Sequence, residues 1–379
     1  MRSEELDVAS RLLHNAIIDI KPKPAHSLAI SDVSHLSQHC NNTLSTTFLT
    51  QQTPTFIMSD KPFPQQPQLH TTAEFRAAVL TYPGNFREAI RQAGEDPKKT
   101  LLGVAQGIPS VFLTKVMASA KPDFIWMDVE HAVFDRSTLY DCIHAAQHHS
   151  EGKTMVVCRI PKHDEISLTT ALDAGAAGLV IPHTETAQDI RDKVKDAFYP
   201  PIGQRSFSPW TFTPGISNQS LYANDEWNMK NSNNHICIIA QIESVKGLEN
   251  IEEIAAMPEV DALMFGPGDF SADAGINFTL SAPPPQEFLD AMGKFVATAH
   301  KYNKPLFGAA QGPAMIPILL QQGYKALAVA FDVWGVANMV KDGMNEARAV
   351  IEKDVDAQAA KAAEGTVEVA NGNGKAPSS

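Results

Sequence analysis

The chain has 379 residues, of which 44% are hydrophobic and 20% are charged, and its formal net charge is −12. A chain of this size can form two average domains or one large α/β barrel with tails, and its acidic balance argues against a nucleic-acid partner, which needs a basic face. No apolar run reaches the roughly 18 residues of a membrane span, and the dispersed cysteines, with no CxxC pair, indicate reduced thiols in a cytoplasmic protein.

The two ends of the chain differ in composition from its middle. Residues 1–70 are rich in Ser, Thr, Gln, His and Pro, they lack a signal-peptide core, and their early acidic residues argue against a transit peptide. We predict that they form a disordered or extension segment, with Met58 opening a more ordinary beginning. Residues 356–379 are predicted by composition to be a disordered tail. The folded domain is therefore expected at residues 71–355.

Between residues 100 and 355, apolar runs alternate with helical patterns. The apolar runs are continuous, as expected of parallel strands that are covered on both faces. They span residues 101–107, 124–130, 154–160, 178–183, 236–243, 262–268, 305–310 and 326–334. This order predicts a (β/α)8 TIM barrel. A doubly wound sheet is the alternative, but evenly spaced units without a switch point favour closure.

One long insertion separates the fourth helical pattern from the fifth strand. It has the sequence GQRSFSPWTFTPGISNQSLYANDEWNMKNSNN, residues 203–234. Loops of this length with several aromatic residues are usually functional or take part in assembly.

Polar residues follow several of the predicted strands. In a (β/α)8 barrel the chemistry lies at the carboxyl ends of the strands, so these residues are the candidates for an active site. They are Asp128, Glu130 and His131 after strand 2, Arg159 in strand 3, His183 after strand 4, Gln241 and Glu243 after strand 5, and Gly268 and Asp269 after strand 6.

Glu243 and Asp269 are the predicted metal ligands. Two carboxylates from adjacent strands can hold Mg²⁺, with Mn²⁺ or Co²⁺ as alternatives, and leave positions for water and substrate. Such an ion would chelate a 2-oxo acid and stabilise its enolate, while Arg159 donates to the same oxygen. The amides of Gly268 and Asp269 are expected to cradle the substrate carboxylate if a helix starts there. Alternatively, the two carboxylates only cap helices or pair with Arg159.

His131 is the candidate base or proton donor, because the pKa of an imidazole lies near working pH. Its position next to Asp128, which we count with the catalytic group, supports this choice. The role of His183 stays open between lining the mouth and supporting the structure. Asp173, at the end of a helical pattern, reads by position alone as a surface charge.

Several motifs together resemble the HpcH/HpaI class II pyruvate aldolases over about residues 100–350. They are VEHAVFD, VVCRI, ALDAGAAGLVIPH, PPIGQR and the pair AQIES and GPGDFS. The resemblance implies a barrel whose last helix is exchanged between subunits of a homotrimer or homohexamer, acting on a small 2-oxo acid.

The same resemblance implies roles for individual residues. Glu243 and Asp269 would bind the metal, and Arg159 would stabilise the enolate. His131 would be catalytic, and Asp173 would reach it from a neighbouring subunit. Gln241 and Gly268 would contact the 2-oxo acid.

The insertion departs from the family pattern. Bacterial aldolases of the family carry a glycine-rich stretch where this chain has RSFSPWTFTPG, which indicates a different substrate pocket. Trp126, Phe207 and Pro209 resemble residues around a 2-pyrone pocket in a branch of the superfamily that decarboxylates oxaloacetate. Trp227 stands where that branch has a tyrosine, and indole is larger and only a donor.

The sequence therefore predicts a divalent-metal-dependent carbon–carbon lyase that acts through a pyruvate enolate. Its reaction would be aldol or retro-aldol chemistry on 4-hydroxy-2-oxo acids, oxaloacetate decarboxylation, or both. The alternative is coupling of that decarboxylation to a 2-pyrone. A non-catalytic binding barrel is a further class. A phosphate-binding barrel is disfavoured, because it needs glycine-rich loops after strands 7 and 8.

Overall fold

A computed structural model of the protein describes residues 84–209, 211–212, 227–277 and 283–372, with side chains through residue 362. Residues 1–70, the predicted amino-terminal segment, lie outside the described residues. So do residues 210 and 213–226 of the long insertion.

Eight parallel strands form a closed barrel in chain order, which confirms the predicted (β/α)8 fold. The strands are β1 Leu101–Gln106, β2 Phe124–Asp128, β3 Met155–Arg159, β4 Gly178–Ile181, β5 Cys237–Ile242, β6 Ala262–Phe265, β7 Leu306–Ala309 and β8 Tyr324–Phe331. The helices around them are α1 Phe86–Glu95, α2 Val111–Ser119, α3 Arg136–His149, α4 Glu165–Asp173, α5 Ala187–Ala197, α6 Met229–His235, α7 Val245–Glu249, α8 Ile251–Ala255, α9 Pro267–Asp273, α10 Gln286–Lys301, α11 Ile316–Gln321 and α12 Asp332–Gly372, with a 3-10 turn at Pro313–Met315.

Helix α1 closes the amino-terminal end of the barrel with aromatic side chains. Phe86 packs edge-on against Phe124 at 5.6 Å and against Phe307 at 6.3 Å, and all three are fully buried. Gly103 of β1 makes room for this cluster, because a Cβ there would overlap the Phe124 ring. Each buried ring contributes about 1.5–3 kcal/mol of hydrophobic stabilisation. One end of the barrel is thus filled, and the polar rim lies at the other.

The strand register places the polar residues on one rim. Asp128, the last residue of β2, is the register partner of Arg159, the last residue of β3. On the neighbouring pair, Gln241 of β5 lies opposite Met264 of β6. Because parallel strands end on the same side of the barrel, Glu243 also falls on this rim.

The last helix, α12, extends far beyond the barrel. It runs to Gly372, so the structure has helical backbone in most of the segment 356–379 that the composition predicted to be disordered. At 1.5 Å per residue its length is about 60 Å. Residues 333–362 are exposed, among them Trp334 and Met339. No helix in the described ranges is both long and apolar enough to cross a bilayer.

Candidate active site

An ion pair joins the carboxyl ends of β2 and β3. Arg159 donates from Nε to Asp128 Oδ1 at 2.9 Å and from Nη2 to Asp128 Oδ2 at 2.5 Å, a bidentate arrangement. Burial alone would raise the pKa of Asp128, but the bonds and charge of Arg159 outweigh it and lower that pKa. Burial likewise opposes the charge of Arg159, whose pKa is nevertheless raised by Asp128. Both groups are therefore charged, and the guanidinium is held in one orientation.

Asp128 also shapes the loop that carries His131. Its Oδ1 accepts the backbone amides of Glu130 at 3.1 Å and of His131 at 3.3 Å. The His131 side chain is 62% exposed at the rim. The sequence-predicted Asp128, His131 and Arg159 thus belong to one connected group.

Glu130 is a member of this group to which the sequence assigned no role. Its side chain is only 12% exposed and lies 3.4 Å from Arg159 Nε. It also approaches Nε2 of His131 at 3.7 Å and Nε2 of His183 at 3.8 Å. The sequence signal that could have identified Glu130 is its position directly before His131, at the end of a predicted strand.

Glu243 is the most buried carboxylate on the rim, with 2% of the residue exposed. The backbone amide of His183 donates to its Oε1 at 2.6 Å, and Gln241 Nε2 donates to its Oε2. The pKa of Glu243 is raised to about 7, chiefly by burial and in smaller part by the charges of Asp269 and Glu130, while His183 opposes the rise. A carboxylate in this setting is poised to accept a cation.

The turn between β6 and α9 is fitted closely to Glu243. A Cβ at Gly266 would overlap the Glu243 side chain and would lie 2.9 Å from Gln241 Nε2. Two residues on, Gly268 has no atom within 4 Å of its Cβ position, so the space above it is open. Asp269 lies in the first turn of α9 and is exposed. A helix therefore starts at the place where the predicted carboxylate cradle of the Gly268 and Asp269 amides needs one.

The residues at this rim fit a divalent cation. Glu243 and Asp269 offer oxygen ligands, as a hard ion prefers. Gln241 Oε1 is buried and has no hydrogen-bond partner among the described residues. The site therefore has an unsatisfied hydrogen-bond acceptor. Within the described ranges, no three His, Cys, Asp or Glu side chains form a closed metal cage. Two carboxylates would leave the remaining positions to substrate and water.

Trp126 forms part of the floor beneath Arg159. Its ring packs edge-on against Phe307 at 5.6 Å, and the Arg159 guanidinium lies 5.6 Å from its centroid. The indole Nε1 is buried without a hydrogen-bond partner in the part of the chain that the structure describes. The structure thus brings Trp126 beside the predicted catalytic group.

The aromatic residues of the insertion form a separate cluster. Phe207 stacks on Phe212 at 5.6 Å, and Phe212 contacts Tyr199 at 5.5 Å and Trp227 at 6.3 Å. Trp227 is 3% exposed. Pro209 is exposed.

Asp173 adjoins this cluster. Its carboxylate accepts a 2.5 Å bond from Arg205, whose guanidinium lies 4.6 Å from the Tyr199 ring. Asp173 ends α4 and Tyr199 follows α5, so both lie at the amino-terminal ends of the strands, opposite the Glu243 rim.

One chain therefore does not bring Asp173, Phe207 or Trp227 to His131. In the described part of a single chain, these residues and the rim do not line a common pocket. The implied contribution of Asp173 from a neighbouring subunit stays a prediction.

A family model described as HpcH/HpaI aldolase/citrate lyase matches residues 109–338. The chain belongs to the HpcH/HpaI aldolase/citrate lyase family. Relatives in this family include a 2-dehydro-3,6-dideoxy-6-sulfogluconate aldolase of Pseudomonas putida, 30% identical over 56% of this chain and 78% of that protein. A 4-hydroxy-2-oxovalerate aldolase of Novosphingobium aromaticivorans is 26% identical over 71% of this chain and 97% of that protein.

Among solved structures, this chain is similar to macrophomate synthase. The two chains are 57% identical, with a TM-score of 0.72, over 77% of this chain and 99% of that one. An HpcH/HpaI aldolase of Desulfitobacterium hafniense DCB-2 is 25% identical with a TM-score of 0.59, over 70% of this chain and 96% of that one. The chain is thus a member of a family of aldolases and lyases.

Proposed function

We propose that the protein is a divalent-metal-dependent carbon–carbon lyase that acts on a small 2-oxo acid through its enolate. The observation that carries the proposal is Glu243, a carboxylate buried on the barrel rim whose pKa is raised to about 7. Burying such a charge is costly unless a cation neutralises it. Asp269 on the next strand end supplies the second ligand, and Mg²⁺ is the expected ion, with Mn²⁺ or Co²⁺ as alternatives.

When bound, the ion would polarise the keto oxygen of the substrate as a Lewis acid. The protein side chains supply the rest of the chemistry. Arg159, fixed by Asp128, donates to the substrate oxygen on which negative charge develops. Gln241 Oε1 lacks a hydrogen-bond partner among the described residues, and as an acceptor it would receive a hydrogen bond from a hydroxyl of the bound acid or from a water. His131, exposed at the rim, transfers the proton at the reacting carbon or at the leaving oxygen.

Two reactions yield the same enolate, so both belong to the proposal. Retro-aldol cleavage of a 4-hydroxy-2-oxo acid removes an aldehyde, and decarboxylation of oxaloacetate removes CO₂. The name of the Novosphingobium relative, a 4-hydroxy-2-oxovalerate aldolase, supports the first reaction. Protonation of the enolate would release pyruvate in either case.

A second candidate is coupling of oxaloacetate decarboxylation to carbon–carbon bond formation with a 2-pyrone. The 57% identity to macrophomate synthase, over 99% of that chain, favours it. Trp126 lies at the rim and Phe207, Pro209 and Trp227 belong to the insertion at the other end of the barrel, so an acceptor pocket made from them would have to form between two subunits. Trp227 in place of a tyrosine would change how an acceptor is held.

We further propose that the active unit is a homotrimer or homohexamer that exchanges its last helix. Residues 333–362 of α12 are exposed in the single chain, and large apolar side chains recur along them. An apolar face of this length needs a partner in water. Exchange would also allow Asp173 to approach His131 of another subunit.

The direct test is incubation of the purified full chain with Mg²⁺ and oxaloacetate, or with a 4-hydroxy-2-oxo acid, while pyruvate release is measured. Because Mg²⁺ alone promotes oxaloacetate decarboxylation, the control is Glu243→Gln at the same Mg²⁺ concentration. We expect rapid release by the wild type and none above background by the variant. Equal rates would overturn the metal assignment.

A titration with oxalate, which mimics the enolate, separates an enzyme from a non-catalytic barrel, since only the enzyme would bind oxalate in a Mg²⁺-dependent way.

A further inference from the structure

The residue after Pro182 has an unusual backbone conformation. His183 has φ of 48°, in the left-handed region that non-glycine residues rarely adopt. Such a conformation persists when surrounding contacts hold it, and it occurs often at functional sites. Here it turns the His183 amide toward the rim, where the amide donates to Glu243 Oε1 at 2.6 Å.

The carbonyl of the same residue is held by a charged side chain. Lys162, in the loop after β3, donates from Nζ to the His183 oxygen at 2.8 Å. Its ammonium also lies 3.3 Å from Asp189 Oδ1. Asp189 in turn accepts the amide of Thr186 at 2.9 Å in the capping box of α5. Lys162 is therefore fixed at both contacts, with 23% of its side chain exposed.

The turn is anchored on its other side by Thr184. The Thr184 amide donates to the Gln241 carbonyl at 3.2 Å, and its hydroxyl donates to the Ile181 carbonyl at 2.8 Å. The Thr184 amide and the His183 carbonyl belong to the same planar peptide, so Gln241 and Lys162 hold the two sides of that peptide. The His183 amide belongs to the preceding peptide, and the left-handed conformation of His183 relates its direction to the anchored one. Lys162 therefore helps to fix the direction of the His183 amide.

We propose that Lys162 is a positioning residue, whose bond to the His183 carbonyl aims the His183 amide at Glu243 and so fixes the carboxylate for a divalent cation. The amide occupies one lone pair of Oε1, and Gln241 Nε2 occupies one of Oε2. Each oxygen has a second lone pair. The His183 ring also approaches this carboxylate, with Nδ1 3.5 Å from Oε1. The inference rests on the proposed metal-dependent function.

The sign of the effect separates positioning from simple electrostatics. Removal of a positive charge near a cation site should strengthen cation binding by Coulomb's law. Loss of a residue that orients a metal ligand should weaken binding, typically by 10–100-fold. Lys162→Met therefore gives opposite expectations under the two explanations.

The experiment measures Mn²⁺ binding to the substrate-free full chain, from the electron paramagnetic resonance signal of free Mn²⁺. We expect Lys162→Met to weaken binding about tenfold or more. Lys162→Arg should restore part of the affinity, because a guanidinium can donate to a carbonyl and pair with Asp189. The matched control is Lys246→Met, which removes a lysine paired with Glu185 at 3.0 Å on the same rim. It should bind Mn²⁺ as tightly as the wild type, or more tightly.

Activity adds a second readout. For Lys162→Met, the Mg²⁺ concentration that gives half-maximal activity should rise, while kcat at saturating Mg²⁺ stays near the wild-type value. Lys162→Gln serves as a second variant if circular dichroism shows that the methionine variant is unfolded. Unchanged or tighter Mn²⁺ binding in the folded variant would overturn the positioning role alone. Failure of the wild type to bind Mn²⁺ would instead overturn the proposed metal chemistry, and this role with it.

Discussion

At the scale of single residues, the rim contains two kinds of buried charged group, one paired with an opposite charge and one bonded to neutral groups. Arg159 and Asp128 neutralise each other through two hydrogen bonds, so both stay ionised. Among the described residues, the hydrogen bonds to Glu243 come from neutral donors, the His183 amide and Gln241, and its pKa rises to about 7. The proposed cation would supply a countercharge for this carboxylate.

This imbalance leads to a stability prediction for Glu243→Gln. The pKa of Glu243 is above its ordinary value in the folded chain, so the folded state binds the proton more tightly, and Glu243 destabilises the metal-free fold as pH rises from about 4.5 through 7. At pH 8 without metal, the variant should be more stable than the wild type by about 1–3 kcal/mol. The glutamine can pair with Gln241, whose own oxygen lacks a hydrogen-bond partner among the described residues.

Urea unfolding at pH 8 and pH 5, in EDTA, measures this difference. It should shrink toward pH 5, where the wild-type carboxyl is protonated in the folded chain. Added Mg²⁺ should stabilise the wild type at pH 8 but not the variant, because a ligand stabilises only the state that binds it. A variant less stable than the wild type at pH 8 in EDTA would contradict the view that the ionised Glu243 destabilises the metal-free fold.

At the scale of elements, the junction between β6 and α9 sets the space around Glu243, the proposed metal ligand. Gly266 and Gly268 lie two residues apart, but their surroundings differ. A methyl group at 266 would meet Glu243 and Gln241, whereas one at 268 would meet nothing within 4 Å. Neither glycine has the positive φ that would strain an alanine.

The two glycines form a matched pair for substitution. We expect Gly266→Ala to cost about 1–3 kcal/mol of unfolding free energy, because it overpacks the junction. It should also weaken Mn²⁺ binding by displacing Glu243. Gly268→Ala should leave both quantities within experimental error of the wild type. Thermal unfolding and Mn²⁺ titration of the two variants check this, and equal behaviour of the pair would show that the junction is not closely packed.

Much of this architecture is predictable from the sequence, because its signals are local. Continuous apolar runs specify parallel buried strands, and a polar residue directly after such a run falls on the rim. This reasoning finds Asp128, Arg159 and Glu243. The C-terminal segment carries two opposing signals, because Gly, Asn and Ser near the chain end predict a tail while the Ala- and Lys-rich residues before them favour helix, and the structure has helical backbone to Gly372.

Other features depend on contacts between distant segments. The left-handed conformation of His183 is supported by Lys162 from one loop and by Gln241 from another strand, through Thr184. No local pattern encodes that combination. The aromatic residues of the insertion show the same limit, since composition marks them as functional without showing at which end of the barrel they pack.

At the scale of the whole molecule, the single chain leaves two features unmatched. Helix α12 exposes an apolar surface along residues 333–362, and Asp173 lies at the opposite end of the barrel from His131. A symmetric oligomer would account for both, because each subunit would cover the helix of a neighbour and lend residues to its rim. A monomer would leave α12 without partners and the Asp173–Arg205 pair without a catalytic role.

Complementation between two inactive chains tests this arrangement. His131→Asn and Asp173→Asn should each abolish most pyruvate release when expressed alone. If His131 and Asp173 act across a subunit boundary, random co-assembly of the two variants, co-expressed with different affinity tags, should leave about a quarter of all sites with both wild-type residues. Oligomers selected for both tags exclude the inactive pure assemblies, so they should show about a third of wild-type kcat per chain for a trimer and about a quarter for a hexamer. Chains mixed only after separate purification provide the control and should remain inactive unless the subunits exchange. Mixed oligomers that stay inactive would mean that the two residues do not form a site between subunits, and Asp173 would then be only the partner of Arg205.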